Sequence, residues 1–292
     1  MPPTPIIRVR DTVKRFGDQT VLDGINLEVF EGETMVIMGG SGSGKSTLLR
    51  SIIGSLRPEE GSIELFGSDI CPMCERELNE IRKRFGVLFQ SGALHNSMTV
   101  AENVALPLRE HTDLARDIID IQVLIKLELV GLLDAADKLP SQISGGMKKR
   151  AGLARALALD PKLLFYDEPS AGLDPVTSAQ IDQLILGLGG KLGVTSVVVT
   201  HEMDSAFTIA DRMAMLDKGR MIAVHDKAWF ERLRDAADPA GLDETQQLIR
   251  QFLCGLADGP LTERQDESEY AEALFGEAVK VTSTPSVEPT RR

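Results

Sequence analysis

The 292-residue chain carries 32 Lys and Arg against 44 Asp and Glu, a formal net charge of −12, with 42% hydrophobic and 26% charged residues. These proportions exclude a wholly disordered polymer, and the acidic balance opposes nucleic-acid binding by bulk charge. No apolar run reaches the ~18 residues that suggest a membrane span, and three cysteines supply no disulfide framework.

The opening, MPPTPIIRVRDTVKRFG, has neither the apolar core of a secretion signal nor the acid-poor character of a transit peptide, so a cytosolic chain is expected. Strand-type runs follow at Ile6 to Val13, Val21 to Val29 and Thr34 to Met38; the last, TMVIM, reads as a strand buried on both faces. It leads into GGSGSGKST, Gly39 to Thr47. A helical pattern then places Leu48, Leu49, Ile52, Ile53 and Leu56 on one side and stops at Pro58 and Gly61. Ser62 to Gly67 and Phe85 to Gln90 read as strands, with a charged helix around Glu75 to Arg84 between them. From about Ser91 to Ala158 the character is helical, notably at Leu114 to Leu133 and Lys148 to Leu159. Leu163 to Glu168 and Thr195 to Thr200 return as buried parallel-type strands, each followed by a helix. Strands alternating with helices imply an α/β fold with a parallel sheet covered on both faces and a helical insertion in its middle. Beyond Asp226 the chain turns helical at Trp229 to Arg234 and Glu244 to Leu253, and it ends in the polar SVEPTRR.

GGSGSGKS fits G-x-x-x-x-G-K-[ST] between a strand and a helix, the setting that phosphate cradle requires. Its glycines let backbone N–H groups wrap a phosphate, and the helix start adds the positive end of a dipole. Lys45 is expected on the β- and γ-phosphates and Ser46 on Mg²⁺, with Gly39, Gly40, Ser41, Gly42, Ser43, Gly44 and Thr47 lining the cradle. The motif alone does not say which nucleotide enzyme this is. LLFYDE delivers Asp167 and Glu168 at the carboxyl end of a buried strand, where open parallel sheets place ligands. Asp167 suits the Mg²⁺ shell; Glu168 suits orientation or deprotonation of an attacking water. His201 and Gln90 end two further strands of the same type, and they are expected to face the γ-phosphate and the metal-bound water. His95, His111 and His225 read as surface or packing residues.

ISGGMKKR (Ile143 to Arg150), SAGLD (Ser170 to Asp174) and VTHE (Val199 to Glu202), in that order with the two phosphate motifs, resemble the ATP-binding subunit of ABC transporters over roughly Ile6 to Val224. The resemblance implies a P-loop NTPase with an N-terminal antiparallel β part, a RecA-like, mostly parallel core and a helical subdomain at about 91–160, all within 1–240. Residues 241–292 would form a C-terminal extension. It further implies that Phe16 stacks adenine and Gln90 senses nucleotide. Ser144, Gly145 and Gly146 form the signature, Asp174 is the dimer-loop aspartate and His201 the switch histidine. Two copies would pair head to tail, each signature closing on the other's γ-phosphate. A serine hydroxyl, bare amides and a helix start make the SGG turn a physically sensible second anion site.

Met147 stands where the usual signature has Gln. In this the chain is similar to the ATPases of Mce-type lipid transporters, the Mla phospholipid system among them. Leu88 to Thr112, Lys126 to Leu132 and Ile249 to Leu261 are similar to that branch as well. The implied setting is a homodimer on the cytoplasmic face of the inner membrane. It would drive permease subunits bound to a periplasmic Mce-domain protein, with a small STAS-domain partner, and move phospholipid or another hydrophobic compound. Ser91 to Leu108 is expected to receive the permease, so a charge at Leu94 or Val100 should uncouple transport. Leu242 to Phe275, with Leu248, Phe252, Leu253, Leu256, Tyr270, Leu274 and Phe275 in an amphipathic pattern, is expected to dock on the dimer mate, the STAS partner or its own subunit. Cys71 and Cys74 lack the further ligands a zinc site needs. The alternatives are an ABC importer or exporter ATPase for a different substrate and a soluble ABC ATPase acting on DNA; the compact insertion between Gln90 and Ser144 and the acidic charge oppose the latter. A catalytically dead subunit is opposed by Lys45, Asp167, Glu168 and His201.

Overall fold

In the computed structural model, residues 4–236 and 241–263 are described. The chain divides into two compact units, Met1–Arg232 and Leu233–Arg292.

Unit one is built on two sheets. In the first, β1 (Pro5–Phe16) and β2 (Gln19–Phe30) form a hairpin that turns at Gly17, where φ is 58°. A left-handed residue at that point costs glycine nothing. On β2 Ile25, Leu27 and Val29 alternate inward, as a strand with one wet face requires. β4 (Glu60–Leu65) pairs antiparallel with the other side of β1, placing Ile7 opposite Leu65, and β5 (Ser68–Asp69) closes the order β2-β1-β4-β5.

The second sheet runs β10-β9-β3-β8-β7-β6. β3 (Thr34–Met38), β6 (Phe85–Leu88), β7 (Leu163–Asp167), β8 (Thr195–Val199) and β9 (Arg212–Asp217) are parallel; β10 (Arg220–Asp226) returns antiparallel through Lys218-Gly219. Every residue of β3 and β8 is buried, because helices cover both faces of the sheet. α1 (Lys45–Ile52) follows β3, and Leu48, Leu49, Ile52 and Ile53 share one apolar core with Ile7, Leu22 and Ile63 of the first sheet and Ile37, Phe165 and Val197 of the second. Register sets the strand ends level: Ile37 and Asp167 both lie opposite Val199, and Leu88 lies opposite Tyr166. Gly39, His201, Glu168 and Gln90 therefore emerge along one edge of the sheet.

α2 (Glu75–Arg82) precedes β6. Between β6 and β7 lies the helical part: α3 (Val100–His111), α4 (Arg116–Leu129) and α5 (Gly145–Ala156). α6 (Pro175–Leu192), α7 (Met203–Ile209) and α8 (Lys227–Arg234) complete the helices that start in this unit. In unit two, α9 (Glu244–Cys254) opens with a capping box between Asp243 and Gln246 and ends at left-handed Gly255; α10 (Pro260–Glu263) follows.

Several boundaries differ from those the sequence suggests. α1 ends at Ile52, before Leu56, because Gly54 turns left-handed and Ser55 N–H closes back on the Arg50 carbonyl at 2.8 Å. β4 begins at Glu60 and stops before Phe66, whose φ is 53°. β6 stops at Leu88, so Gln90 sits in the turn after the strand. α3, β9 and β10 were not anticipated. In unit two Leu248 and Leu253 are buried while Leu256 is exposed; Tyr270, Leu274 and Phe275 lie outside the described residues.

Candidate nucleotide site

The glycine loop closes β3 onto α1. Gly39 holds φ 150°, and a Cβ there would collide with the Leu216 carbonyl; Gly44, at φ 106°, would press on the Val21 carbonyl at 2.9 Å. These two positions require glycine for their backbone and for close packing. Gly40 has open space around it. Lys45 is buried, and its ammonium donates to the Gly39 and Gly40 carbonyls at 2.7 and 2.8 Å. Burial holds its pKa below the ordinary lysine value, against the pull of Glu168 and Asp167. No side chain caps α1 and no acid sits in its first turn, leaving the amides and the dipole end for an anion. The buried hydroxyl of Ser43 has no protein partner. A cradle of backbone amides at a helix start, with an ammonium bonded to the loop carbonyls, fits a polyphosphate.

Asp167 ends β7 half-buried. Its pKa is raised, first by burial and then by the neighbouring Glu168 charge, against the attraction of Arg50, Lys45 and Lys149. Glu168 takes φ 50°, an uncommon conformation for a residue with a side chain. Hydrogen bonds hold it there from both sides, the Ala171 N–H reaching its carbonyl at 3.3 Å among them. Its N–H donates to the Val199 carbonyl at 2.9 Å, its carbonyl accepts from the Lys149 ammonium at 2.8 Å, and its carboxylate meets His201 Nδ1 at 2.8 Å. His201 is otherwise exposed, with 60% of its side chain accessible, so Nε2 is the ring atom left to face a phosphate. Gln90 is exposed at the same edge, followed by Gly92 and Ala93, whose carbonyls accept from Arg155 of α5 at 3.0 and 2.7 Å. Phe16, at the end of β1, is 49% exposed with Lys14 Nζ 5.3 Å from its ring centre, an available stacking surface.

The signature turn opens α5. Ser144 caps α5 by accepting from Met147 N–H at 3.2 Å. Gly146 must be glycine, because a Cβ would strike the Thr177 methyl. Asp174 caps α6, accepting from the Val176 and Thr177 amides at 3.1 Å each and from the Thr177 hydroxyl at 2.6 Å, and the Thr177 bonds hold its pKa below the usual carboxylate range. The phosphate cradle and the sheet-edge residues thus gather in one place, while the contacts of Ser144, Gly145, Gly146 and Asp174 are with α5, α6 and the turn before α6.

Two side chains escaped the sequence reading. Lys149 and Arg155 are cations on α5 that grip backbone carbonyls beside Glu168 and after Gln90. One expectation needs correction: Val100 is fully buried at the start of α3, so a charge there would disrupt the fold, whereas Leu94 is only partly buried. The loop between them is held by the buried Asn103 amide, which donates to the His95, Met98 and Thr99 carbonyls and accepts from His95 N–H. A groove of about 840 Å³ opens nearby, lined by Phe89, Pro107, His111 and Arg155 with residues of α2.

The sequence pattern of the family described as ABC transporter matches residues 22–171. The chain is 43% identical over 270 residues to the intermembrane phospholipid transport system ATP-binding protein MlaF of Haemophilus influenzae, covering 92% of this chain and 98% of that one. It is 44% identical over 274 residues to the probable ribonucleotide transport ATP-binding protein mkl of Mycobacterium leprae, covering 93% and 76%. Among solved structures, a dimeric ATP-binding cassette in a post-hydrolysis state bound to ADP and Pi superposes with a TM-score of 0.71 at 32% identity, covering 76% of this chain and 98% of the other. With its cradle, its acidic strand end and its signature helix, the chain belongs to the ATP-binding subunits of ABC transporters and is an ATPase that hydrolyses ATP.

Proposed function

We propose that this ATPase powers an Mce/Mla-type transporter that moves phospholipid or another hydrophobic compound between the inner and outer membranes. The observation that carries the reading is the near full-length likeness to MlaF, joined to a signature helix that opens Ser-Gly-Gly-Met instead of ending its motif in Gln. In this reading two copies meet head to tail, the Lys45 cradle of one and the Ser144 turn of the other clasping one ATP. Glu168 takes the proton of the attacking water, and His201, anchored to Glu168 through Nδ1, faces the γ-phosphate with Nε2. Phe16 stacks the adenine. Ser46, Gln90 and Asp167 offer only oxygen donors, the kind Mg²⁺ accepts, and the ion would neutralise phosphate charge there.

No described helix is long and apolar enough to cross a membrane. In this reading separate permease subunits, met at the cytoplasmic face of the inner membrane, carry the cargo. The groove beside Phe89 and Pro107 supports docking of a permease segment. The exposed Ile118, Ile121, Leu124 and Ile125 of α4 support a further protein partner, for which a STAS-domain protein is the candidate; the Mce-domain protein would meet the permease on the far side. Tagged protein purified from membranes should bring down a permease and, by mass spectrometry, bound lipid. A complex carrying no lipid, or a nucleotide cargo as the mkl name suggests, would overturn the lipid assignment.

A further inference from the structure

We propose that Lys149 is a positioning residue for hydrolysis: from inside the signature helix it holds the main chain of Glu168 in the left-handed form from which the carboxylate addresses the attacking water. The inference rests on Glu168 acting as the base. Lys149 is 5% exposed, and its ammonium donates a 2.8 Å bond to the Glu168 carbonyl. A desolvated ammonium is retained only where its surroundings compensate it. Here Glu202, Glu168 and Asp167 supply the opposing charge.

Glu168 needs such a hold. With φ at 50° its peptide would relax toward an ordinary conformation unless both sides were fixed. Val199 fixes the N–H side; on the carbonyl side Lys149 makes the short 2.8 Å bond beside a longer 3.3 Å one from the Ala171 N–H, leaving the carboxylate to His201. A charge-assisted bond to a carbonyl is short and directional, which suits a positioning task better than apolar packing does. The same helix begins at Ser144, where the second subunit's nucleotide would be met, so α5 joins the signature to its own subunit's base through one lysine.

The test is steady-state ATP turnover and nucleotide affinity of the full chain in five forms: wild type, K149M, K149R, E168Q and the K149M/E168Q double variant. K149M should lower kcat about 10-fold or more while KM and nucleotide affinity stay within about 2-fold. K149R, which can still donate to the carbonyl, should recover most of the rate. On the E168Q background, K149M should cost nothing further, because a residue that acts through Glu168 has nothing left to position. Wild-type kcat in K149M, a loss that falls on KM instead, failure of K149R to rescue, or an additive loss in the double variant would each overturn the proposal. If K149M melts below assay temperature, K149Q carries the same kcat-against-KM test. Undiminished turnover in E168Q would instead remove Glu168 as the base, an outcome distinct from failure of Lys149 alone.

Discussion

His201 Nδ1 and Glu168 Oε1 stand 2.8 Å apart, one residue leaving β8 and the other β7. In the proposed mechanism the pair ties the base to the residue that faces the phosphate, and His201 N–H also reaches Glu168 Oε2 at 3.4 Å. Each side chain therefore limits where the other can point.

Glu168→Gln keeps the shape and the hydrogen bond to His201 but cannot accept a proton. It should retain ATP binding, fall on the order of 10²-fold or more in turnover, and accumulate as an ATP-bound dimer by gel filtration. Lys45→Ala should behave oppositely, losing nucleotide affinity in a direct binding assay and forming no such dimer.

Gly39→Ala and Gly40→Ala separate folding from binding. The first puts a Cβ against the Leu216 carbonyl at a φ that side chains avoid, so its melting temperature should fall by several degrees, as a loss of about 1–3 kcal/mol implies. The second meets nothing within 4 Å, so its melting temperature should hold while ATP affinity drops.

Asp167 has a pKa raised above 3.8, so the native state binds its proton more tightly than the unfolded chain. Stability from this group is full below the ordinary value and is lost as pH rises through the raised one. Asp167→Asn should therefore melt at a higher temperature than wild type near neutral pH without nucleotide, with the advantage shrinking as pH falls toward the carboxylate range. The same variant should lose Mg²⁺-dependent turnover. A lower melting temperature at neutral pH would show that the attraction of Lys45 and Arg50 outweighs burial.

Leu94→Glu leaves the buried start of α3 untouched. In the assembled transporter it should preserve basal ATP turnover and abolish lipid movement, measured as exchange between labelled and unlabelled vesicles. Normal movement would reject docking beside the loop after Gln90.

The sequence made the cradle and the acidic strand ends legible because glycine spacing and unbroken apolar runs are local signals. α3 was hidden by Pro107, which reads as a helix breaker, although Thr99 and Glu102 form a capping box that announces its start. β9 and β10 lacked clear alternation, and the Lys218-Gly219 turn joining them, left-handed at both residues, was the overlooked hairpin sign. Lys149 was illegible for a different reason. In Met-Lys-Lys-Arg it reads as one of a basic cluster serving helix and phosphate electrostatics, and only the strand end 19 residues downstream makes it a buried donor.

Thr177 serves two masters: its methyl packs where Gly146 leaves room, and its hydroxyl bonds to Asp174. The signature turn and the aspartate cap therefore share one side chain. Enlarging Thr177 would push against the glycine; removing its hydroxyl would slacken the cap. A change at Thr177 is therefore felt at both the signature turn and the Asp174 cap.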